Sequence, residues 1–339
     1  MRNSGNGIVN AAVDLAFYQR RAGHAVAVAS DSGGFVTLLQ DCDISWFYLP
    51  QRRSPKSLSM LPFRYRRIVH DFRPDIVHAH NIAALLTGKF LRFRSGYKLV
   101  ASAHRAFDSN AHTLALADRI IAVSAADAES LETRGVPRSK MRTVLNGPLG
   151  TPRRPVADDV QDVVLHHPSI TTVAGLYHRK GIDVLIAAFE GVAREVADAH
   201  LYIVGHGPDK NRFIEQARGT RCNDRIHFVG FEPAPQRYLS GTDVFVLASR
   251  QEPFGLVLIE ARSAGCAIVA SDVGGIPEAL DCGRAGSLVP GGDSGALGDM
   301  LLDILRDPDR MAQMKRQAQT GLERFEAQRM TDETLRAYA

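Results

Sequence analysis

The sequence predicts an α/β protein made of two doubly wound, parallel-sheet halves. Three observations predict it. Short apolar runs rich in Val, Ile and Ala alternate with amphipathic helical patterns along nearly the whole chain. Such runs are what strands buried on both faces look like, and their alternation with helices calls for parallel pairing through crossovers. The alternation stops once, in the polar, proline-containing segment TPRRPVADDVQDVVLHHP at 151–168, and then restarts. The 339 residues give each half the length of an ordinary domain.

The first half, 1–150, opens on an amphipathic helical pattern at 8–22 ended by Gly23. AVAVAS at 25–30 reads as a buried strand, followed by a helix near 58–72, the strand DIVHAH at 75–80, a helix at 81–94 and the strand KLVASAH at 98–104. A short helix, the strand RIIAVS at 119–124, a helix at 125–133 and the strand MRTVL at 141–145 complete it. A doubly wound sheet starts on a central strand, then a glycine-rich turn and a helix. Ser4-Gly5-Asn6-Gly7 has the character of that turn, with only three residues before it. The first strand is therefore missing, which leaves backbone groups of both its neighbours unpaired. A misplaced start or a fragment accounts for this better than a degenerate half.

The second half, 169–324, repeats the pattern. Strand SITTVAG (169–175), helix 181–192, strand HLYIVG (200–205), helix 209–217 and strand RIHFVGF (225–231) lead to the strand DVFVLAS (243–249). After the stretch 250–280, which contains the strand CAIVAS (266–271), GSLVP (286–290) is the last strand, and helices fall near 293–306, 308–324 and 330–338.

The chemistry concentrates in RQEPFGLVLIEARSAGCAIVASDVGGIPEAL, 250–280. Glu252 and Glu260 have seven residues between them, with Pro253-Phe254-Gly255 in the interval. If a helix opens near Gly255, Glu252 lies in the loop before it and Glu260 in its second turn. The N–H groups of Gly255, Leu256 and Val257 then face whatever lies between the two carboxylates. A helix N-terminus binds anions, phosphate above all. Carboxylates on either side of a phosphate point to a nucleotide sugar, one taking the ribose diol and the other the sugar hydroxyls. The bland alternative is a loop charge and an exposed helix residue.

This stretch, with its flanking strands and the turn Gly274-Gly275-Ile276-Pro277-Glu278, resembles the glutamate-x7-glutamate signature of retaining glycosyltransferases of the GT-B fold, family 4 in particular. The resemblance covers most of the chain and is densest from Asp118 to Pro290. It implies two Rossmann-like domains facing a cleft, an acceptor-binding one at 1–150 and a nucleotide-sugar-binding one at 169–324. Residues 325–339 would pack back onto the first. It also implies transfer of a sugar from a nucleotide diphosphate to an acceptor hydroxyl with retention, without a cofactor or a metal ion. The family's basic motif puts Lys180, in AGLYHRKGIDVLIAAF, on the departing diphosphate; a solvated cation at a helix start is the alternative. The family usually has an arginine five residues earlier, where this chain has Gly175, and Arg179 is the candidate second cation.

The resemblance further implies a base-lining role for loops at Gly205-His206-Gly207 and Gly230-Phe231, acting through backbone groups. His206 is equally a surface residue. His104, ending the strand KLVASAH, matches a histidine near the sugar and acceptor, and a strand's carboxyl end is where ligands bind in such sheets. His80 on the neighbouring strand is a weaker candidate, and Gly5 and Gly7 belong to the same acceptor side. Ser124 matches a family serine but is sufficiently explained as a helix N-cap. Asn146-Gly147 is a turn signal that also matches the family.

Composition bounds the rest. The four cysteines, Cys42, Cys222, Cys266 and Cys282, have no paired ligand spacing and are expected as free thiols. No metal-ligand cluster is legible: His166-His167 lies in the linker, and Asp41-Cys42-Asp43 and Asp307-Pro308-Asp309 are coincidental D-x-D spellings. Residues 1–110 hold 15 Lys/Arg against 7 Asp/Glu, and the remainder 26 against 30. A basic first half suits an anionic partner, either a phospholipid surface or a phosphate-bearing acceptor. The helix pattern at 58–72 turns Leu58, Leu61, Tyr65, Ile68, Val69 and Phe72 to one face and leaves Arg64, Arg66 and Arg67 mostly off it. That face fits a membrane surface or is simply solvated. Without a nucleic-acid motif, nucleic acid is not a partner. The expected partners are a nucleotide sugar and a glycan or lipid-linked acceptor, at a cytoplasmic location peripheral to the inner face of the membrane. Two other classes fit part of the sequence: a non-catalytic nucleotide- or partner-binding relative, favoured by Gly175 and the missing strand and opposed by Glu252, Glu260 and Lys180, and a dinucleotide oxidoreductase, disfavoured by the lack of a G-x-G-x-x-G after a first strand.

Overall fold

In the computed structural model, residues 7–50, 55–92, 95–104, 108–153 and 161–339 are described, 55–59 by backbone alone. They fall into two units, Met1–Arg153 with Phe325–Ala339, and Arg154–Arg324.

The first unit runs α1 (Gly7–Arg21), β1 (Ala27–Ser30), α2 (Val36–Asp41), β2 (Ser45–Tyr48), α3 (Pro55–Phe72), β3 (Ile76–Ala79), α4 (Ile82–Leu91), β4 (Lys98–Ala103), β5 (Arg119–Ala122), α5 (Ala125–Thr133) and β6 (Met141–Thr143). All pairing is parallel, but in two pieces: β1 with β2, and a separate sheet in the order β3-β4-β5-β6. This is the expected gap. In a doubly wound sheet the second and third strands lie on one side of the first and the later strands on the other. The parting between β1 and β3 falls at that place, and among the described residues no strand joins the two pieces. The sequence reading assigns no element between 30 and 58, where the structure has α2 and β2; both are too short for periodicity to separate from a loop. On α3, Tyr65 and Val69 are buried, Leu61 and Ile68 pack against the same core, and Arg66 and Arg67 are exposed, as the spacing predicts. The terminal helix Ala327–Tyr338 belongs to this unit. Its Met330 and Ala337 share a core with Leu15, Val100, Ile121 and Val144.

The second unit runs β7 (Ser169–Val173), α6 (Ile182–Glu195), β8 (His200–Val204), α7 (Lys210–Arg218), β9 (Ile226–Gly230), α8 (Gln236–Leu239), β10 (Val244–Leu247), α9 (Leu256–Ser263), β11 (Ala267–Ser271), α10 (Ile276–Ala279), β12 (Ser287–Val289), α11 (Ser294–Leu305) and α12 (Pro308–Ala318). The six strands form one parallel sheet in the order β12-β11-β10-β7-β8-β9. Every residue of β10 and β11 is buried, as a parallel strand covered on both faces should be. On α6 the apolar spacing is helical, and Ile182, Leu185, Ile186, Phe189 and Val192 are buried against the sheet. Each such side chain contributes roughly 1.5–3 kcal/mol, so this layer holds the ends of β7 and β10 in place. The helix expected over 308–324 stops at Ala318, with Gly321 at φ +69° and a 3-10 turn at Leu322–Phe325 beyond it.

Candidate functional site

The strand order of the second unit reverses between β7 and β10. The chain lays β8 and β9 to one side of β7, then β10, β11 and β12 to the other. At such a switch point the loops leaving the carboxyl ends of the two central strands diverge and leave a ligand crevice. The loop after β7 carries Lys180, and the loop after β10 carries Glu252. Their side chains meet: Lys180 Nζ is ion-paired with Glu252 Oε2, and the two side chains are only 14% and 9% exposed. The buried Ser249 hydroxyl donates to the same Glu252 oxygen at 3.2 Å.

Backbone approaches fix both residues. Gly181, next to Lys180, has φ +65°, and a Cβ there would sit 1.8 Å from the Ala248 carbonyl oxygen. Gly274, at φ +55°, comes as close to Glu252, where a Cβ would be 2.1 Å from its carbonyl oxygen. No L side chain fits either place. The Gly275 N–H donates to that Glu252 oxygen at 3.1 Å.

The helix α9 begins at Leu256, with Gly255 as its N-cap and no side-chain cap. Glu252 lies in the loop before it, and Glu260, partly buried, lies in its second turn. Leu256 and Val257 occupy the first turn and are partly buried, while Phe254 is buried at 2% exposure. Phe254 therefore anchors the loop in the core and offers a ligand no side-chain face. The loops after β8 and β9 are tied together by the Gly205 N–H, which donates to the Gly230 carbonyl at 2.7 Å. Phe231, beyond it, is 48% exposed. The Arg179 guanidinium lies 5.8 Å from the centre of the Tyr177 ring. That ring also crowds Gly175, where a Cβ would come within 2.8 Å of it.

Sequence reasoning missed Arg250 and Asp183. The Arg250 guanidinium donates to both Asp183 carboxylate oxygens, at 2.7 and 2.8 Å, and to the His178 carbonyl at 3.0 Å. Its backbone N–H donates to the Arg179 carbonyl at 2.8 Å. Arg250 thus clamps the Glu252 loop onto the Lys180 loop. Burial pushes the Asp183 carboxyl up, but the hydrogen bonds and charge of Arg250 outweigh it and hold the carboxyl below its ordinary range. The pair is 67 residues apart in sequence, and Arg250 beside Glu252 was the only available hint.

In the first unit, His80 follows β3 and His104 follows β4, both at strand carboxyl ends. His80 Nδ1 and His104 Nε2 are hydrogen-bonded to each other at 3.0 Å, one nitrogen donating and the other accepting, and the rings stack 5.4 Å apart. Beneath them His78 bonds the Ser102 hydroxyl and the Tyr338 hydroxyl, each at 2.8 Å. Burial lowers His80 to about 4, and burial with the charge of His80 lowers His104 to about 3. Both are neutral near pH 7 and act as hydrogen-bonding groups, not cations. They line a small pocket with Ala11, Leu15 and Asn146. Gly7 begins α1, and Gly5 lies outside the described residues. Of the D-x-D spellings, Asp307 caps α12 by accepting from the Arg310 N–H at 2.9 Å.

One expectation is corrected. The sequence reading found no metal-ligand cluster and left His166 in the linker. The structure gathers His166, His200 and His227, from three segments, with ligand nitrogens all within 4.8 Å of one another. Spacings of this length carry no motif, and only the sheet register and the hold of Tyr202 on His166 bring them together.

The family model described as Glycosyl transferases group 1 matches residues 159–321, and the one described as Glycosyltransferase Family 4 matches 5–147. The chain belongs to glycosyltransferase family 4. This family 4 chain is 30% identical over 155 residues to N-acetyl-alpha-D-glucosaminyl L-malate synthase of Bacillus anthracis, a stretch that is 45% of this chain and 40% of that relative. It thus spans less than half the length of that relative. To the GDP-mannose-dependent alpha-mannosyltransferase of Mycobacterium tuberculosis it is 28% identical, over 93% of this chain and 89% of the relative. Among solved structures, Anabaena Alr3699/HepE in complex with UDP and glucose superposes with a TM-score of 0.82 at 21% identity, covering 99% of this chain and 96% of that one. At that identity the likeness speaks for the fold, and the fold of the family 4 chain is GT-B.

Proposed function

We propose that this chain transfers a sugar from a nucleotide-diphosphate sugar to an acceptor hydroxyl, retaining the anomeric configuration and using no metal ion at the donor site. The observation that carries the reading is the Lys180–Glu252 pair at the switch point, next to the start of α9 with Glu260 in its second turn. In this reading Lys180 and the N–H groups at Gly255, Leu256 and Val257 take the charge of the leaving diphosphate. Glu252 accepts hydroxyls of the sugar and Glu260 those of the ribose. The loops at Gly205 and Phe231 line the base, and neutral His104, with His80 behind it, hydrogen-bonds the sugar or acceptor. Arg179 is the second cation. The bond from the sugar's anomeric carbon to the diphosphate breaks through an oxocarbenium-like state. The acceptor oxygen bonds to that carbon on the same face and passes its proton to the leaving phosphate.

A calorimetric titration of UDP, GDP and ADP tests the donor site. One nucleotide is expected to bind clearly, and Glu260→Ala to lose about 1–3 kcal/mol of that binding from unpaired ribose hydroxyls. The relatives leave the base open, one being GDP-mannose-dependent and another holding UDP. If no nucleotide binds well-folded protein, the reading fails. A second reading, a non-catalytic nucleotide-binding protein, is favoured by Gly175 beneath the Tyr177 ring where the family carries arginine. Nucleotide binding without release of nucleoside diphosphate from any donor would select it.

For the acceptor we infer a glycan or lipid-linked molecule of the cell envelope, reached from the cytoplasmic face of the membrane. Phe63 and Phe90 are each 74% exposed and Met60 43%, and Arg66 and Arg67 on the same helix α3 as Phe63 are exposed. No helix among the described residues is long and apolar enough to cross a membrane. Apolar side chains beside cations are what an anionic lipid surface attracts. Sedimentation with anionic vesicles should exceed that with neutral ones, and Phe63→Ser together with Phe90→Ser should abolish the difference. Equal sedimentation with both vesicle types would refute a membrane surface.

A further inference from the structure

We propose that His166, His200 and His227 form a binding site for one borderline transition-metal ion of the Zn²⁺ class, remote from the donor site. His200 is the first residue of β8 and His227 the second of β9. In the parallel register Tyr202 pairs with His227, so the two-residue alternation of a strand puts His200, Tyr202 and His227 on one face. His166, in the segment before β7, lies over them, its ring stacked 4.5 Å from that of His200. Its position is fixed by Tyr202, whose hydroxyl accepts from the His166 N–H at 2.9 Å and bonds its Nδ1 at 3.0 Å. His200 Nδ1 and His227 Nε2 are 2.9 Å apart, and ligand nitrogens of all three lie within 4.8 Å of one another.

Three imidazoles at this separation are suited to one kind of guest. A tetrahedral ion with metal–nitrogen bonds of about 2.0–2.1 Å holds its ligand nitrogens roughly 3.3 Å apart, close to what His200 and His227 already present. Imidazole ligands without a carboxylate select Zn²⁺, Ni²⁺, Co²⁺ or Cu²⁺ over Mg²⁺ or Ca²⁺. The rings are now nearly parallel, at 12–21° to one another. Binding therefore requires His166, which is exposed, to turn and give up its Nδ1 bond to Tyr202, and His200 and His227 to exchange the hydrogen bond between them for bonds to the ion, with loss of the proton it holds. The fourth position would go to water. The three residues stand at the amino ends of their strands, whereas Lys180 and Glu252 stand past the carboxyl ends of β7 and β10. The ion would therefore take no part in sugar transfer. It would tie the segment carrying His166 to the edge pair β8–β9.

The test uses the full chain without an affinity tag, stripped with EDTA and dialysed. Titration with Co²⁺ should give one equivalent and the visible absorption of a tetrahedral site, which Zn²⁺ then displaces. His166→Ala and His227→Ala should each weaken the ion by more than the about 10–100-fold that follows loss of a ligand's own hydrogen-bond partner. His166 is exposed, so that variant should fold as the parent does even if His227→Ala does not. No tetrahedral spectrum, or one that survives His166→Ala unchanged, overturns the proposal. Nucleotide binding should be the same with and without the ion, so the result is independent of the donor-site reading.

Discussion

Lys180→Ala is expected to lower sugar transfer about 10²–10³-fold, the loss typical when one preorganised hydrogen-bond donor to a developing anion is removed. Nucleoside diphosphate should also bind more weakly, because the same charge faces the diphosphate before reaction. Glu252→Gln is expected to separate these effects. Transfer should fall by a similar factor, since the sugar loses its carboxylate, but the diphosphate should bind more tightly, by about tenfold at most. The reason lies in the ion pair. Without a ligand, Lys180 spends its charge on Glu252 in a place where both side chains are little exposed. In the proposed donor site a diphosphate would compete with that carboxylate for the lysine and so free Glu252 to accept the sugar's hydroxyls. Gln keeps the shape and the Ser249 contact but gives up the claim on the cation. The two substitutions should therefore shift the nucleotide dissociation constant in opposite directions in the same calorimetric titration. If Glu252→Gln weakens nucleotide binding as Lys180→Ala does, the pair is a structural strut of the loops and not the resting state of a donor site.

The parts of this site legible in the sequence are those set by local rules. A strand, a loop holding Glu252 and a helix holding Glu260 are consecutive in the chain, so their order alone places them. The sheet's parting between β1 and β3 was legible for the same reason, as a doubly wound sheet tells where its first strand must lie. What was not legible depends on distant segments meeting. Arg250 and Asp183 find each other only because β7 and β10 are neighbours in the sheet, and the three histidines only through the register of β8 with β9 and the hold of Tyr202 on His166. Phe254 lies inside the signature and would be taken from that position for a donor-binding residue, yet at 2% exposure its side chain is in the core. Position within a motif does not tell which way a side chain turns.

Arg262→Ala is expected to cost about 3–5 kcal/mol of stability in the second unit, the loss typical when one partner of a buried ionic cluster is removed. Nothing in the sequence marks this arginine, two residues beyond Glu260 on α9. It is fully buried at 0% exposure. Its guanidinium donates to the carbonyls of Ala318 at 2.9 Å, Thr320 at 2.6 Å and Ala279, and pairs with Asp281 at 3.3 Å. Burial lowers its proton affinity and the Asp281 charge opposes that, but an arginine remains charged in either case. One planar group thus joins the end of α10, the end of α12 and the segment after α12 to the back of α9. Arg262→Lys keeps the charge but cannot reach three carbonyls in a fork, so it should recover only part of the loss. Arg262→Met fills the volume and leaves the carbonyls without donors, which costs about 1–3 kcal/mol for each one that water cannot reach. Urea unfolding followed by far-ultraviolet circular dichroism should therefore rank wild type above Lys, Lys above Met, and Met above Ala. A loss below about 1 kcal/mol for Ala would mean that water replaces the guanidinium without difficulty. Because α9 also carries Glu260 and the N–H groups assigned to the phosphates, Arg262→Lys should weaken nucleotide binding under conditions where the protein is still fully folded. The same variant thereby tests whether the orientation of α9 is what the donor site depends on.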